Sequence, residues 1–517
     1  MFYIEELERY SGNIDMNDYS YMQISKRIVR HKILFHAVDT LTRKRGEACC
    51  VSRNYVRKVY DYFTQTEDYS NNSEEAKKIE RSYITNWEHL HDSCIGKKNV
   101  EDLTVCYLCG PEPNNDFQEL VDLGILPQNI WAFESVNKTY KLALESYDEG
   151  QFPQPRLLKQ NIETFFKFTP KKFDIVYIDA CGSVPSDQHA LRCLTAIFRY
   201  SRLSSPGVVI TNFSAPDAVN ENVENYIELI STYLYFKHYS HEKHYDINHI
   251  FENEQYSLLE KNIRNNFLKY YGDFISAAIR DIPSVFIPLQ RLAENPYFCQ
   301  LISDINANNH EYMDLIKQAH GNSISQFVIY CEYLRKNRKL PDKIDLFLKE
   351  IEEKEHTLIK GVVLLLQLKD EKNDKKEEMK LLRQCFSGNS SVYQFLDKPH
   401  SNLVIDAIIN QLVYPMHFCP WRNWRYKYCA KIRDMFTDVS VYDECRYIYE
   451  WMPAVHQLAS VLRNESWQYV FRFAMDGLIK SRQIFNNEFF YQGAVVSPSI
   501  DGFGNATLSE RVDYNNM

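Results

Sequence analysis

Between residues 103 and 217 the chain alternates short, unbroken apolar runs with stretches whose apolar residues recur at helical spacing. Residues 103–109 form a run of strand length that stops at Gly110-Pro111-Glu112-Pro113, and Phe117, Leu120, Val121 and Leu123 then mark a helix. The run 130–133 ends at Glu134, 173–178 ends at Asp179, and 207–211 ends at Asn212. Continuous apolar strands alternating with helices predict a parallel sheet buried on both faces. Ligands of such sheets sit beyond the carboxyl ends of the strands. The polar residues at those ends therefore form a candidate small-molecule site.

The flanking regions have other patterns. Residues 1–100 read as helical, with Ile24, Ile28, Ile33, Leu34, Ala37, Val38 and Leu41 on one face. Arg43-Lys44-Arg45-Gly46 is a helix stop, Ser52-Arg53-Asn54-Tyr55 begins another helix, and the polar residues 70–75 read as a loop. Residues 217–400 carry long helical patterns, for example 224–235 and 257–279, broken by Pro283, Pro288 and Pro296. Ten of the twelve residues 369–380 are charged with both signs mixed, which predicts a solvated helix or linker. From about residue 400 two strand-like runs, 426–432 and 436–442, flank Arg433-Asp434-Met435 and predict a hairpin. Residues 497–505 are polar and glycine-bearing, as in a loose tail. Four regions result: 1–100 helical, 101–216 α/β, 217–400 helical, and 401–517 a small α+β segment.

Composition narrows the setting. A chain of 517 residues with 44% hydrophobic content can hold several cored domains. Glu5, Glu6 and Glu8 without an apolar core do not resemble a signal peptide, and the best apolar run, 362–366, is too short to span a membrane. Thirteen cysteines without regular spacing predict reduced thiols in a cytoplasmic protein. The net charge of −9 argues against blanket affinity for nucleic acid, yet ten Lys and Arg stand against Asp39 and Glu47 in residues 26–58.

The order strand–turn–helix–strand-Glu–Asn-Ile–strand-Asp–strand resembles the class I S-adenosylmethionine-dependent methyltransferases over about 115 residues. The resemblance implies a Rossmann-like, mostly parallel sheet with helices on both faces. It implies that Cys109, Gly110 and Glu112 hold the methionine part of S-adenosyl-L-methionine. It places Glu134 on the ribose hydroxyls, Asn161 and Ile162 on the adenine, and Asp179 beside the methyl acceptor. The chemistry fits: a carboxylate is an acceptor-only group suited to a diol, and glycine lets the backbone approach a ligand. The family's turn usually has two or three glycines, whereas this one has Gly110 followed by Pro111, which lacks an N–H. The family's sheet normally ends in an antiparallel hairpin after the fifth strand, and the 426–442 hairpin is the candidate to supply it. Asp179-Ala180-Cys181-Gly182-Ser183-Val184-Pro185 is faintly similar to the Asp-Pro-aromatic-Gly-Ser-Pro segment of tRNA guanine dimethyltransferases, with Asp179, Gly182 and Ser183 in register. Asp179 and Ser183 are therefore the catalytic candidates.

Two basic clusters are candidates for nucleic acid. Trp421, Arg422, Trp424, Arg425 and Lys427 interleave aromatic faces with cations, as a base-stacking surface does, and Arg43, Lys44 and Arg45 flank an apolar helical face. A core hairpin with solvated basic residues is the bland alternative. Cys109 and Cys181, at the ends of the first and fourth strands, could lie close together, with packing the simpler role. His238, His241, His244 and His249 crowd together, and His417, Cys419, Cys429, Cys445 and His456 have metal-binding chemistry. The first three histidines are three apart and could share a helix face as zinc ligands do, but no accompanying motif is present; the second set lacks paired short spacings, so no metal is expected. The favoured function is a methyltransferase acting on nucleic acid, RNA ahead of DNA. The alternatives are a degenerate methyltransferase-like module that scaffolds partners or senses a nucleotide, and a protein methyltransferase.

Overall fold

The apolar runs at 105–109, 130–133 and 173–178 lie side by side, as their continuous hydrophobicity requires. In a computed structural model of the chain, the structure describes residues 21–65, 71–148, 156–180, 182–184, 189–217, 223–239, 254–283, 287, 291, 416–430, 433–451, 464–482 and 509–515. Its strands are β1 (Val105–Leu108), β2 (Ile130–Phe133), β3 (Leu157–Leu158), β4 (Phe173–Asp179), β5 (Leu203–Ser214), β6 (His417–Ala430), β7 (Arg433–Asp443) and β8 (Arg511–Asp513). They form one sheet in the order β3-β2-β1-β4-β5-β7-β6-β8. Strands β1 to β5 are mutually parallel; β7 runs antiparallel to both β5 and β6. The architecture is Rossmann-like α/β. The 426–442 hairpin lies directly against β5, with Gly207 opposite Tyr442.

Alternation along the strands divides the core into two layers. Val105, Tyr107, Ile175, Tyr177, Val208, Ile210, Val439 and Val441 share one cluster with helices from both ends of the chain. These are α1 (Tyr21–Leu41), α2 (Tyr55–Gln65), α4 (Arg81–Ile95) and, near the C-terminal end, α13 (Glu465–Arg482). Cys106, Val176, Ile178, Val209, Phe213, Phe436 and Tyr442 face the other cluster. That layer holds α7 (Ile162–Phe168), α8 (His189–Arg199), α9 (Val223–Tyr239), α10 (Glu254–Asn265) and α11 (Phe267–Asp281). Helix α1 turns its buried stripe of Val29, Ile33, Leu34, Ala37 and Leu41 onto the sheet, the 3.6-residue spacing that the sequence displays.

Several local expectations need correction. Residues 71–76 form a short helix, α3 (Asn71–Ala76), because Ser73 donates to the Phe63 carbonyl and Ala76 is buried. The 257–279 pattern is two helices that break at Asn266. The hairpin is tighter than expected: Arg433, Asp434 and Met435 are paired strand residues opposite Ala430, Cys429 and Tyr428. Most of the proline-interrupted stretch at 288–296, the highly charged stretch 369–380, the 497–505 tail, Cys181, Pro185, His241, His244, His249 and His456 lie outside the described residues. No helix among the described residues is long and apolar enough to cross a membrane.

Candidate functional site

The carboxyl ends of β1, β2, β4 and β5 bring Gly110, Glu134, Asp179 and Asn212 to one edge. After β1 the Cys109 N–H donates to the Phe133 carbonyl at 3.1 Å, extending the pairing one residue and placing Gly110 at the rim. Gly110 has φ +58°, the left-handed region that costs glycine nothing, and no atom lies within 4 Å of where a Cβ would stand. Tyr107 Oη donates to the Pro113 carbonyl at 2.8 Å and pins the turn before α5 (Asn114–Asp122). Glu112 is exposed and accepts from the Asn115 side chain at 2.8 Å. Glu134 ends β2; its Oε1 accepts from the Val136 N–H at 2.7 Å, which fixes the carboxylate over the rim. Burial, and next the neighbouring Glu134 carboxylate, push the Cys109 thiol up to about 12, so it stays neutral.

Asp179 is held by a chain of side chains from three strands. Asn212 is fully buried; its Oδ1 accepts from Thr437 Oγ1 at 2.7 Å, and its Nδ2 donates both to Tyr428 Oη and to Asp179 Oδ1 at 2.9 Å. With both amide hydrogens used, the orientation of Asn212 is fixed. Above this edge runs the first part of α1. Lys26 Nζ lies 3.7 Å from Asp179 Oδ2, and Arg30 Nε donates to Asp116 Oδ1 at 2.8 Å. Burial pushes the Asp116 carboxyl above the ordinary range, an effect that Arg30 offsets in part. Burial draws Arg30 down, but Asp116, Tyr177 and Asp179 together outweigh it and raise its value, so the guanidinium stays charged. Burial, then Asp179, push the Tyr177 phenol well up, leaving it a proton donor at neutral pH.

Other site candidates have structural roles. The Asn161 side-chain oxygen caps α7, accepting from Glu163 N at 2.8 Å and Thr164 N at 3.3 Å. Ile162, expected on an adenine face, is buried in the core with Phe165 and Phe166. Its apolar surface is already covered. Ser183 is also buried, 3.2 Å from Tyr226 Oη, facing the helical layer, and Val184 N donates to Tyr271 Oη.

The basic clusters are largely turned to internal work. Arg45 is buried and donates to the Ile95 and Leu41 carbonyls. Arg425 is buried and pairs with Asp273 at 2.6 Å. Trp424 stacks on His36, and Tyr426 Oη meets His36 Nε2 at 2.9 Å. Lys427 lies 3.4 Å from Asp434 and Asp513, Arg422 pairs with Glu47, and Trp421 is half-buried. Arg43 and Lys44 both close on Asp39. Arg43, Lys44, Arg422, Arg425 and Lys427 each meet an acid of the same chain and Arg45 meets backbone carbonyls, so the two clusters do not combine into one unpaired basic surface. Asn212 stands at its strand end as the sequence implied, whereas Lys26, Arg30 and Asp116 were missed as site residues. Their signals were the Lys26–Arg30 spacing of one helical turn, and the polar Asp116 on the apolar side of α5.

No family model and no curated protein matches the chain. Among solved structures it is similar to an S-adenosylmethionine-dependent methyltransferase from Clostridium acetobutylicum, at 17% identity and a TM-score of 0.19, over 31% of this chain and 57% of that one. It is also similar to magnesium protoporphyrin IX methyltransferase from Synechocystis with bound S-adenosylmethionine, at 15% identity and a TM-score of 0.17, over 31% of this chain and 76% of that one. The chain thus spans a little over half the length of the first. The fold rests on the sheet itself: parallel β3-β2-β1-β4-β5 closed by an antiparallel β7 beside β6, a Rossmann-like arrangement.

Proposed function

We propose that the chain is an S-adenosylmethionine-dependent methyltransferase whose donor lies across the ends of β1 and β2 and whose acceptor meets Asp179. The observation that carries this reading is the open, left-handed Gly110 beside the fixed Glu134 carboxylate. A glycine there leaves room for a ligand against the backbone, and the carboxylate suits a ribose diol. The adenine contacts expected from Asn161 and Ile162 are not part of the proposal, because those residues cap a helix and fill the core.

Bound S-adenosylmethionine supplies an electrophilic methyl on a sulfonium. The chain's residues then act by positioning. Glu134 holds the ribose, and the Arg30–Asp116 pair offers one cation and one anion to a zwitterionic amino-acid group. Asp179, oriented by Asn212, accepts a hydrogen bond from the acceptor N–H or O–H and aims its lone pair. The acceptor class is left to assay, because the cations expected to hold phosphate are paired internally.

A second reading, a degenerate scaffold or nucleotide sensor, is favoured by the single-glycine turn and the buried Ile162. Calorimetry of the full chain with S-adenosylmethionine and its demethylated product separates the two. Saturable binding of both supports the enzyme; no heat from either at roughly 1 mM ligand removes it. A scan of nucleic acids, proteins and small amines with methyl-labelled donor then identifies the acceptor.

A further inference from the structure

Far along the sheet from Glu134 lies a cluster to which no role has been given. Cys50 follows α1 in the chain, Cys419 sits on β6, Asp443 ends β7, and Cys445 is two residues further on; all are buried. The ligating atoms of Cys50, Cys419 and Asp443 lie within 4.8 Å of one another. The two sulfurs of Cys50 and Cys419 are 3.6 Å apart, and Cys445 Sγ is 3.5 Å from Asp443 Oδ2.

We propose that Cys50, Cys419, Cys445 and Asp443 form a closed structural zinc site tying the segment after α1 to the β6–β7 hairpin. Tetrahedral zinc with bonds of about 2.3 Å to sulfur and 2.0 Å to oxygen needs ligand separations of about 3.8 Å and 3.5 Å. Two of the six edges, Cys50–Cys419 and Cys445–Asp443, lie within about 0.2 Å of these lengths, and Cys50, Cys419 and Asp443 already lie within 4.8 Å of one another, so Cys445 completes the set by a small shift of its side chain. A disulfide would instead require the Cys50 and Cys419 sulfurs to close to about 2.05 Å. Thiolate ligands select zinc over the hard cations, and four protein ligands leave no open position for catalysis.

The surroundings hold the carboxylate ready. Asp443 Oδ1 accepts from Cys445 N at 2.9 Å and Ser205 Oγ at 3.2 Å. Its Oδ2 accepts from Tyr447 Oη at 2.6 Å and Cys50 N at 3.1 Å. Such outer-shell bonds orient a metal ligand. Two backbone irregularities aim the thiols: Cys445 has φ +50°, uncommon for a residue with a side chain, and Cys419 lies in the register shift between Phe418 and Asn423. Three thiols gathered around a carboxylate are also a poor use of cysteine as a packing hydrophobe. Binding displaces one proton from each of the three thiols, so the metal enters as Zn²⁺ and three H⁺ leave to solvent. The sequence pointed to Cys419 and Cys445 but concealed Cys50 and Asp443, because the members are scattered and only Asp443 and Cys445 are near neighbours.

The test is elemental analysis of the full chain purified in reductant without chelator. About one zinc per chain is expected, with loss in Cys50→Ser and Cys419→Ser and no change in Cys429→Ser, whose thiol lies outside the cluster. Should the first two fail to fold, cobalt(II) titration of metal-stripped wild type gives an independent reading through its thiolate charge-transfer and tetrahedral bands. Zinc-free protein that develops no such bands overturns the proposal. So does metal retained in Cys50→Ser, or recovery of a Cys50–Cys419 disulfide by unreduced peptide mapping.

Discussion

Strand β4 carries an aspartate near each end, and the two are treated very differently. Asp174 is fully buried; both its oxygens take Lys98 Nζ at 2.7 Å, and Oδ2 also accepts from Thr104 N at 2.8 Å and Thr104 Oγ1 at 3.0 Å. Asp179, five residues on, accepts from Asn212 and faces Lys26 across 3.7 Å, with its side chain 12% exposed. The first acid is locked at the amino edge of the sheet, where it ties β4 to the entry of β1. The second is oriented from within the sheet while one side meets the rim. The same residue type on the same strand is thus a fastening at one end and, under the proposed function, the group that orients the acceptor at the other. The difference lies in exposure: Asp174 is fully buried, whereas the Asp179 side chain reaches the rim.

The largest expected effect is at the fastening. Asp174→Ala should lower unfolding free energy by about 3 kcal/mol, because Lys98 and Thr104 lose their acceptor. A urea midpoint equal to that of the wild type would erase the contrast. Asp179→Ala should cost less stability, about 1 kcal/mol, from the buried Asn212 N–H that loses its acceptor. With any acceptor that supports turnover it should lower kcat about a hundredfold, near 2.7 kcal/mol, leaving donor affinity nearly unchanged. Equal loss of donor binding would move Asp179 from the acceptor to the cofactor. Glu134→Ala should do the reverse, weakening S-adenosylmethionine binding by about 2 kcal/mol in calorimetry.

The smallest effect comes from His36, stacked on Trp424 and bonded to Tyr426. Burial, then Lys32, lower its pKa to about 4, below the ordinary histidine value. A native state that resists protonation is stable above the unfolded pKa and loses stability as pH falls toward the folded one. From pH 7 to pH 5 this one group should cost roughly 1–2 kcal/mol. Denaturant melts of wild type and His36→Gln at both pH values measure it; an equal pH dependence in the two would assign the loss elsewhere.

Much of the sheet was legible because its strands are buried on both faces and end in a polar residue: 130–133 and 173–178 appear nearly as written. The start of β5 was not, since Ser204, Ser205 and Pro206 mask a strand that begins at Leu203. At the site, Glu134 and Asp179 stand at strand ends as local pattern implies. What pattern could not show was the fate of the cations. Arg425 and Asp273 are far apart in sequence, as are Lys26 and Asp179, so their pairing exists only once the sheet has closed. Ile162 was misplaced for a related reason: an apolar residue after β3 can cover a ligand or the core, and the neighbouring Phe165 and Phe166 draw it into the core.

The antiparallel pairing of β5 with β7 has a consequence for how the chain is made. Ser214 pairs with Met435, so the ribosome must add about 220 further residues before the partner of β5 exists. At about 5–20 residues per second that interval lasts roughly 10–45 seconds. Throughout it the nascent chain carries a buried-type strand, Val208–Val209–Ile210, with one backbone edge unmatched, the kind of edge on which neighbouring chains add strands. Yield on expression should therefore depend on translation speed and on holdase chaperones more than the stability of the finished fold would suggest.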